Sequence, residues 1–297
     1  MQSSLENVSS LLSSKAVLFR LFTSSFDGKK KDKRITSEIR VAHGMSADLL
    51  NANKRIMQGK ELNAVSASLQ SLRKTSERLS APWLDGGLRI LPARRLVSAK
   101  VEIEAAIRDF TEKVEKFIDN YDVIISRDAR PDHLNTAFNR ADYPSKAELR
   151  NRFAARIEFF PIATDFRVEG ISAAIKEDLE SEMQKLTAGR IAEAKIDLID
   201  RIRETVLTLA SKLENLGDGS RFHAATIANV AAVCAEVKDA NFDDDQKLSD
   251  LADRVTHTIS ALSSDSIRDS DAARSEAKET AARALAEISE AMAGFVC

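Results

Sequence analysis

Residues that interrupt helices are scarce in this sequence. Its 297 residues include 5 prolines, 10 glycines and 1 tryptophan, and aromatic side chains make up 5% of the chain. This scarcity argues against β-sandwiches and glycine-looped α/β enzymes, because both depend on turn residues and on β-forming side chains. Charged residues, at 30%, instead favour helices with large polar surfaces. The composition predicts a mainly α fold.

The sequence motifs of common enzymes are also missing. No GxxxxGK[ST] or GxGxxG segment is present for nucleotide phosphates, and no GxSxG elbow surrounds a serine. The four histidines stand far apart, without an HxxxH or CxxC pair that could hold zinc. We therefore expect a protein that is not an enzyme, with no catalytic residue, no metal site and no cofactor.

Cysteines and apolar runs are too few for a disulfide framework or a membrane span. Cys234 lies in an Ala/Val-rich run typical of a core, and Cys297 is the last residue. The first ten residues lack basic side chains, and no apolar run approaches the ~18 residues of a transmembrane helix. These features predict a soluble, cytoplasmic protein.

Prolines and charges divide the chain into regions. All five prolines fall between Pro82 and Pro161, which predicts a loop-rich hub over about 81–168. Residues 1–161 hold 28 Lys and Arg against 20 Asp and Glu (+8), and residues 162–297 hold 16 against 26 (−10). We expect a basic helical front and an acidic bundle behind it. Either the two surfaces complement each other, within one chain or between copies, or the front binds an acidic partner such as nucleic acid.

Apolar spacing predicts four helices in the front half. They are expected over Leu5–Phe22, after a cap near Ser46, over Leu62–Leu79 and from Pro92 to about Ser126. Asp27-Gly28 is a hairpin signal, and it precedes a basic cluster. That cluster is either a solvated turn or ribbon or a phosphate-facing patch, and its residues are Lys29, Lys30, Lys31, Lys33 and Arg34.

The hub contains the only tryptophan. Residues 81–92 are expected to form an ordered loop around Trp83, Ser145 and Glu148 form a capping box, and residues 156–168 favour an extended edge segment. Two pairs of oppositely charged residues lie near these segments, Asp85 with Arg89 and Asp165 with Arg167. They either stabilise the loop or belong to a partner-docking surface. That surface would comprise Trp83, Asp85, Arg89, Asp165 and Arg167.

The back half predicts one very long helix and three shorter ones. Helical spacing continues without proline from Gly170 to Asn215, so this helix would reach roughly 65 Å and project as a stalk. Further helices are expected over 225–237, 248–262 and 270–292, with Asn241 or Asp243 starting the second and Ser270 capping the third. They are expected to fold back as an antiparallel bundle.

The segment DANFDDDQKLSD, residues 239–250, has acidic residues at several positions of a calcium loop. Asp244 replaces the required glycine, and Asp250 stands where such loops have glutamate. An acid-rich helix N-terminus explains the segment better.

Several segments together resemble a family of uncharacterised helical phage and plasmid proteins. They are APWLDGGLRILP (81–92), DYPSKAEL and FFPIATDFRV (within 142–168), NFDDDQKL (241–248) and SIRDSDAAR (266–274). Genes of that family typically lie beside a MoxR-type AAA+ ATPase and a cobaltochelatase-like protein with a von Willebrand factor A domain. The resemblance implies a bacterial or phage-infected host cell and a helical third component that bridges this pair or is remodelled by it.

The expected protein is an elongated multi-helix bundle with a long stalk helix and one small β-hairpin or extended element in the middle. We expect an adaptor or scaffold of the ATPase and A-domain system that forms oligomers. The alternatives are a nucleic-acid-binding protein that uses the basic front half and a structural rod in a virion.

Overall fold

The structure, a computed structural model, describes residues 12–46, 49–57, 59–84, 86–128, 134, 137–163, 172–216 and 222–296. It is mainly α, as predicted, with small antiparallel sheets. The first of its strands and helices, in chain order, are β1 (Ala16–Ser24), β2 (Lys29–Lys31), α1 (Lys33–His43), β3 (Asn53–Arg55), α2 (Lys60–Arg78), β4 (Ala81–Leu84) and β5 (Leu88–Pro92). They are followed by α3 (Leu96–Asp119), α4 (Tyr121–Asp128), α5 (Lys146–Arg150), β6 (Ala154–Phe160), α6 (Ala173–Glu214), α7 (Ala224–Ala240), α8 (Gln246–Ser260), α9 (Ser264–Asp269) and α10 (Asp271–Val296).

The strands form more sheet than the sequence predicts. One sheet has the order β4-β5-β1-β6, and β2 pairs with β3 in a separate ribbon. β1 runs antiparallel to β5, with Ala16 opposite Pro92 and Arg20 opposite Leu88. β6 lies at the sheet edge, which confirms residues 156–160 of the extended edge segment predicted over 156–168. Residues 161–163 are not in a strand, and residues 164–168 lie outside the described residues.

The first predicted helix, Leu5–Phe22, is wrong from Ala16 onward, because residues 16–24 form β1. Residues 12–15 are helical, and residues 5–11 lie outside the described residues. Periodic leucines indicated a helix, but β1 is rich in Val, Leu and Phe, which also suit strands. Pairing with β5 satisfies its backbone and buries Leu18 and Phe19, so tertiary contacts decide the outcome. The helix predicted after Ser46 is also wrong. A helix forms earlier, as α1 behind the cap Asp32, and β3 follows.

The ordered loop predicted over residues 81–92 is a β-hairpin. β4 and β5 pair antiparallel, and the chain reverses where Gly86 and Gly87 have φ of 82° and 85°. Both angles lie in the left-handed region that favours glycine, so the Gly-Gly pair makes the reversal possible.

The helices predicted for 62–79 and for the back half are confirmed, with small shifts at their ends. The single helix predicted from Pro92 to about Ser126 is divided at Asn120 into α3 and α4. α6 has 42 residues, or about 63 Å; its projection as a stalk stays a prediction. The capping box of Ser145 and Glu148 is present. α8 starts behind Asp245 instead of Asn241 or Asp243, and the sequence analysis missed the short helix α9.

The described helices include none with the length and apolar character needed to cross a membrane.

The chain divides into two compact units that do not follow the predicted split at residue 161. The larger unit comprises residues 1–20, 76–100 and 158–297, and the smaller unit comprises residues 21–75 and 101–157. The smaller unit has 21 Lys and Arg against 16 Asp and Glu (+5), and the larger has 23 against 30 (−7). The charge contrast therefore persists between the folded units.

Each unit has its own apolar core. In the larger unit, α6 from Ala194 onward packs with α7, α8, α10 and β4 around fully buried side chains, among them Leu198, Ile202 and Val206. In the smaller unit, α2 and α3 bury a second set, which includes Val65, Leu72, Ile103, Phe110 and Phe117.

Candidate functional site

The predicted basic cluster forms a lysine-rich strand and the start of a helix. Gly28, with φ of 70°, accepts hydrogen bonds from the amides of Ile56 and Met57, at 2.9 and 3.3 Å. A Cβ at Gly28 would stand 2.9 Å from the Met57 carbonyl oxygen, so this close approach requires glycine. It starts the ribbon in which Lys29–Lys31 pair with Asn53–Arg55.

A buried lysine lies between two aspartates beside this ribbon. The Lys54 Nζ lies 2.8 Å from Asp32 Oδ2 and 2.7 Å from Asp142 Oδ2, and it donates to the Ala137 carbonyl at 2.6 Å. Asp32 is also the N-cap of α1, where its other carboxylate oxygen accepts from the amides of Arg34 and Ile35. We name Lys54, Asp32 and Asp142 the Lys54 cluster.

Lys54 and Asp32 are held in their charged forms. The hydrogen bond from Lys54 and the Ile35 amide lower the pKa of Asp32. Burial alone would lower the pKa of Lys54, whose side chain is 10% exposed, but hydrogen bonds to Asp142 and Asp32 outweigh burial and raise it. Lys54 and Asp32 therefore stay ionised across the neutral pH range.

The Lys54 cluster borders a cavity of about 460 Å³ that carries an excess of positive charge. Its lining contains five cationic side chains and two carboxylates, a net charge of +3, and both carboxylates are bound by Lys54. Within the described residues, no ion pair involves Lys30, Lys31 or Lys33, and all three are exposed. We name this site the lysine cavity.

Two further residues of the lysine cavity come from a distant part of the sequence. Phe138 is half-buried and packs against Tyr143, with ring centroids 6.3 Å apart. Asn139 accepts a hydrogen bond from the Ala141 amide through Oδ1, which leaves its side-chain NH₂ toward other acceptors. The sequence analysis missed Lys54, Phe138 and Asn139, because only the tertiary fold brings them to the ribbon.

A second buried lysine cluster lies in the larger unit, at the segment that resembles a calcium loop. The Lys195 Nζ lies 2.6 Å from Asp243 Oδ2 and 2.5 Å from Asp245 Oδ2. Asp245 caps α8 by accepting from the amides of Lys247 and Leu248. We name Lys195, Asp243 and Asp245 the Lys195 cluster.

Lys195 and Asp245 are ionised for the same reasons. Burial alone would lower the pKa of Lys195, but hydrogen bonds to Asp243 and Asp245 raise it. Burial would raise the pKa of Asp245, but the hydrogen bond and the charge of Lys195 lower it instead.

Asp239 and Asp244 of this segment also bind cations of the protein, whereas Asp250 accepts a hydrogen bond from Gln246. Asp244 pairs with Lys15 and Arg94, and Asp239 pairs with Arg95 at 2.8 Å. No group of His, Cys, Asp and Glu among the described residues has the arrangement of a metal site. The acidic segment therefore joins α7 and α8 to α6 and to the chain that follows β5.

Of the predicted docking residues, Trp83 is a core residue. It is 5% exposed and meets Phe242 edge-on, with ring centroids 6.5 Å apart, so its ring offers little surface to a partner. Asp85, Asp165 and Arg167 lie outside the described residues.

Arg89, the remaining docking candidate, binds the C-terminal end of α2. It donates to the Ser80 hydroxyl at 2.7 Å and to the Ser80 carbonyl at 2.9 Å, beside Arg201, which donates to the Glu77 and Ser80 carbonyls. Cations at this position satisfy the last carbonyls of a helix. Burial, followed by the charge of Arg201, lowers the pKa of Arg89.

A row of apolar side chains lies on the first turns of α6, with Ile175 and Leu186 exposed and Leu179 and Met183 half-buried. Ile175, Leu179, Met183 and Leu186 follow one another at steps of four, four and three residues, which places them on one side of the helix. Ile175 is 53% exposed and Leu186 is 51% exposed, whereas from Ala194 onward one face of the helix is buried. We name these four residues the α6 stripe.

The buried reactive groups of the described residues serve packing. Burial raises the pKa of the Cys234 thiol and raises the pKa of Tyr121 to about 12. The Tyr121 hydroxyl donates to the Pro144 carbonyl at 2.9 Å. Neither group is poised as a nucleophile or a base near pH 7.

Comparisons with known protein families, with curated proteins and with solved structures find no match to this chain.

Proposed function

We propose that this protein is a non-enzymatic helical adaptor that binds a partner protein through the α6 stripe. The observation that supports this function is the exposure of Ile175 and Leu186 on a helix whose later turns form the core of the larger unit. Apolar rows of this kind are typical of helices that dock into a groove on another protein. In this proposal, the predicted stalk carries the contact.

The charges beside the stripe define the chemistry of the partner. Glu177, Asp178 and Glu182 are exposed on the same turns, where Lys176 pairs with Glu180. An apolar groove with a basic rim would complement this segment, because rim charges steer association and select among partners. By the sequence resemblance, we assign this groove to the MoxR-type ATPase or the von Willebrand A-domain protein of a phage-type system.

Co-purification with the ATPase and the A-domain protein encoded beside this chain tests the proposal. We expect the wild-type chain to retain one of them. Leu186→Glu should weaken the complex by about 10- to 100-fold, because it removes one buried leucine contact and places a charge in an apolar groove. The exposed position of Leu186 predicts little change in the stability of the free protein.

Val41→Glu is the matched control, since Val41 is 81% exposed on α1 and lies outside the stripe. It should leave the complex unchanged. Equal losses for both variants, or no complex with either neighbour, would contradict the proposal. Light scattering that shows a dimer disrupted only by Leu186→Glu would assign the stripe to a second copy instead.

The non-enzymatic part of the proposal has its own test. We expect the purified chain to leave ATP and a simple activated ester unchanged. A turnover rate that stays constant per mole of protein through repeated purification would overturn this part without bearing on the stripe.

A further inference from the structure

We infer that the lysine cavity binds single-stranded nucleic acid, with a phosphate group on the lysines and a base against Phe138. This site lies in the smaller unit and does not depend on the proposed adaptor function. The inference depends on three observations: Lys30 and Lys31 lie in the ribbon, Lys33 lies at the start of α1, and the Phe138 ring lies nearby.

Part of the positive charge of the lysine cavity is not neutralised among the described residues: Arg34 pairs with Glu38, but Lys30, Lys31 and Lys33 form no ion pair there. Asp32 and Asp142 are the carboxylates of its lining, and Lys54 engages both. Asp32 additionally accepts the first amides of α1, so its oxygens are occupied. The charges of Lys30, Lys31 and Lys33 therefore face solvent, and an external anion lowers their mutual repulsion.

The fold also fixes where the three lysines stand. Lys30 and Lys31 belong to a strand paired with β3, and Asp32 anchors the next residue, Lys33, in the first turn of α1. Since Lys54 holds Asp32 to Asp142, the cluster joins the ribbon to the segment that contains Phe138. The backbone of the site is thus preorganised, which reduces the entropy cost of binding.

Phe138 distinguishes a nucleotide from a simple anion. Its ring lines the same cavity as the lysines, and its packing against Tyr143 orients it. Basic grooves that also offer an aromatic face bind single strands, since each unpaired base can stack while the lysines follow the phosphates. Duplex bases are already stacked, so a duplex gains nothing from Phe138. The amide NH₂ of Asn139 provides a hydrogen-bond donor at the same site.

Fluorescence anisotropy with a fluorescein-labelled oligo(dT) of about 12 nucleotides tests the inference on the full chain. We expect binding at low salt that weakens with a log–log slope of about −2, the value for three phosphate contacts on a single strand. A blunt duplex of the same length should bind more weakly.

The variant Lys30→Gln, Lys31→Gln, Lys33→Gln should lose at least about tenfold in affinity and most of the salt slope. Phe138→Leu should cost about fivefold or more while the salt slope stays unchanged, because it removes stacking alone. The matched control is Lys60→Gln, Lys74→Gln, Lys116→Gln, which removes the same charge from exposed positions of the same unit. It should bind like the wild type.

Three results would overturn the inference. The first is no binding of the oligonucleotide at low salt, with correct folding shown by circular dichroism. The second is an equal loss in the ribbon variant and the control variant, which would indicate nonspecific charge. The third is a duplex, free dTMP or inorganic phosphate binding as tightly as the oligonucleotide, which would remove the assignment to a single strand.

Discussion

Each of the two units contains a buried lysine bound to two aspartates, but the charges around these two clusters differ. In each, the buried lysine binds an aspartate that caps a helix, as Lys54 does with Asp32 and Lys195 with Asp245. Each lysine also binds a second aspartate, which is distant in sequence for Lys54 (Asp142) and lies two residues before the cap for Lys195 (Asp243). The lysine side chains are similarly buried, at 10% and 11% exposure. Around Lys195, Asp239 and Asp244 are paired with basic residues, whereas around Lys54 several lysines lack carboxylate partners among the described residues.

This difference separates a structural site from a binding site built with similar residues. The charges of the Lys195 cluster and of Asp239 and Asp244 are neutralised by ion pairs within the larger unit. They therefore attract an external ligand only weakly. The Lys54 cluster fixes the geometry of its surroundings and leaves a surplus of positive charge beside a cavity. Charge balance, rather than the number of charged residues, distinguishes the two sites.

The largest effect is expected from removing one buried phenylalanine from each unit. Phe242→Ala and Phe117→Ala should each cost about 3 to 5 kcal/mol of unfolding free energy, because each opens a cavity in a fully packed core. In urea, Phe242→Ala should shift the unfolding midpoint read by Trp83, which it contacts. Hydrogen exchange measured on peptides should show Phe117→Ala acting on the smaller unit.

Equal shifts of every peptide in both phenylalanine variants would break the comparison. That result would show the units unfolding as one cooperative body, and the two clusters could no longer be treated as separate sites. Val123→Ala, at an exposed position of the smaller unit, is the control, and it should change the stability by less than about 0.5 kcal/mol.

The next largest effect should come from removing each buried lysine. Lys195→Ala should cost about 3 kcal/mol, since it strands two carboxylates that are mostly buried. Lys54→Ala should cost less, about 1 to 2 kcal/mol, because nearby lysines partly neutralise Asp32 and Asp142. Urea unfolding of each variant at neutral pH measures both values.

Neutralising a whole cluster provides the control for the lysine variants. Lys195→Met with Asp243→Asn and Asp245→Asn should recover much of the loss, since no buried charge is left unpaired. A Lys54→Ala loss as large as that of Lys195→Ala would contradict the electrostatic contrast between the sites.

Helices with uninterrupted periodicity were predictable from the sequence, and so was the capping box. α6, α7, α8 and α10 follow apolar spacings that no competing signal disturbs, and Ser145 and Glu148 form their box within four residues. β1 was not predicted, because its local pattern is ambiguous between helix and strand. β1 carries a spacing compatible with a helix, and only its distant partner β5 makes it a strand.

The candidate site was predictable only in its local part. The lysines at 29–33 are adjacent in the sequence, so their charge could be recognised without a fold. The surplus of positive charge at these lysines could not be predicted from the sequence, because it depends on Lys54 binding both Asp32 and Asp142. Phe138 reaches the site across more than 100 residues of chain, a distance at which local patterns carry no signal.

The smallest effect should come from the charge of each capping aspartate. Asp245→Asn and Asp32→Asn keep a side chain that caps helices well, so each should cost about 1 to 2 kcal/mol at pH 7, mainly from the lost bond to the buried lysine. The folded-state pKa of both aspartates is lowered, so their contribution is fully present above the unfolded pKa of about 3.9 and is lost as pH falls through the folded pKa. The stability gap between the wild type and each variant should therefore narrow as pH falls below about 4. Urea unfolding followed from pH 7 to about pH 2 checks this, and a gap that stays constant would show that the aspartates act as neutral caps and not as partners of Lys195 and Lys54.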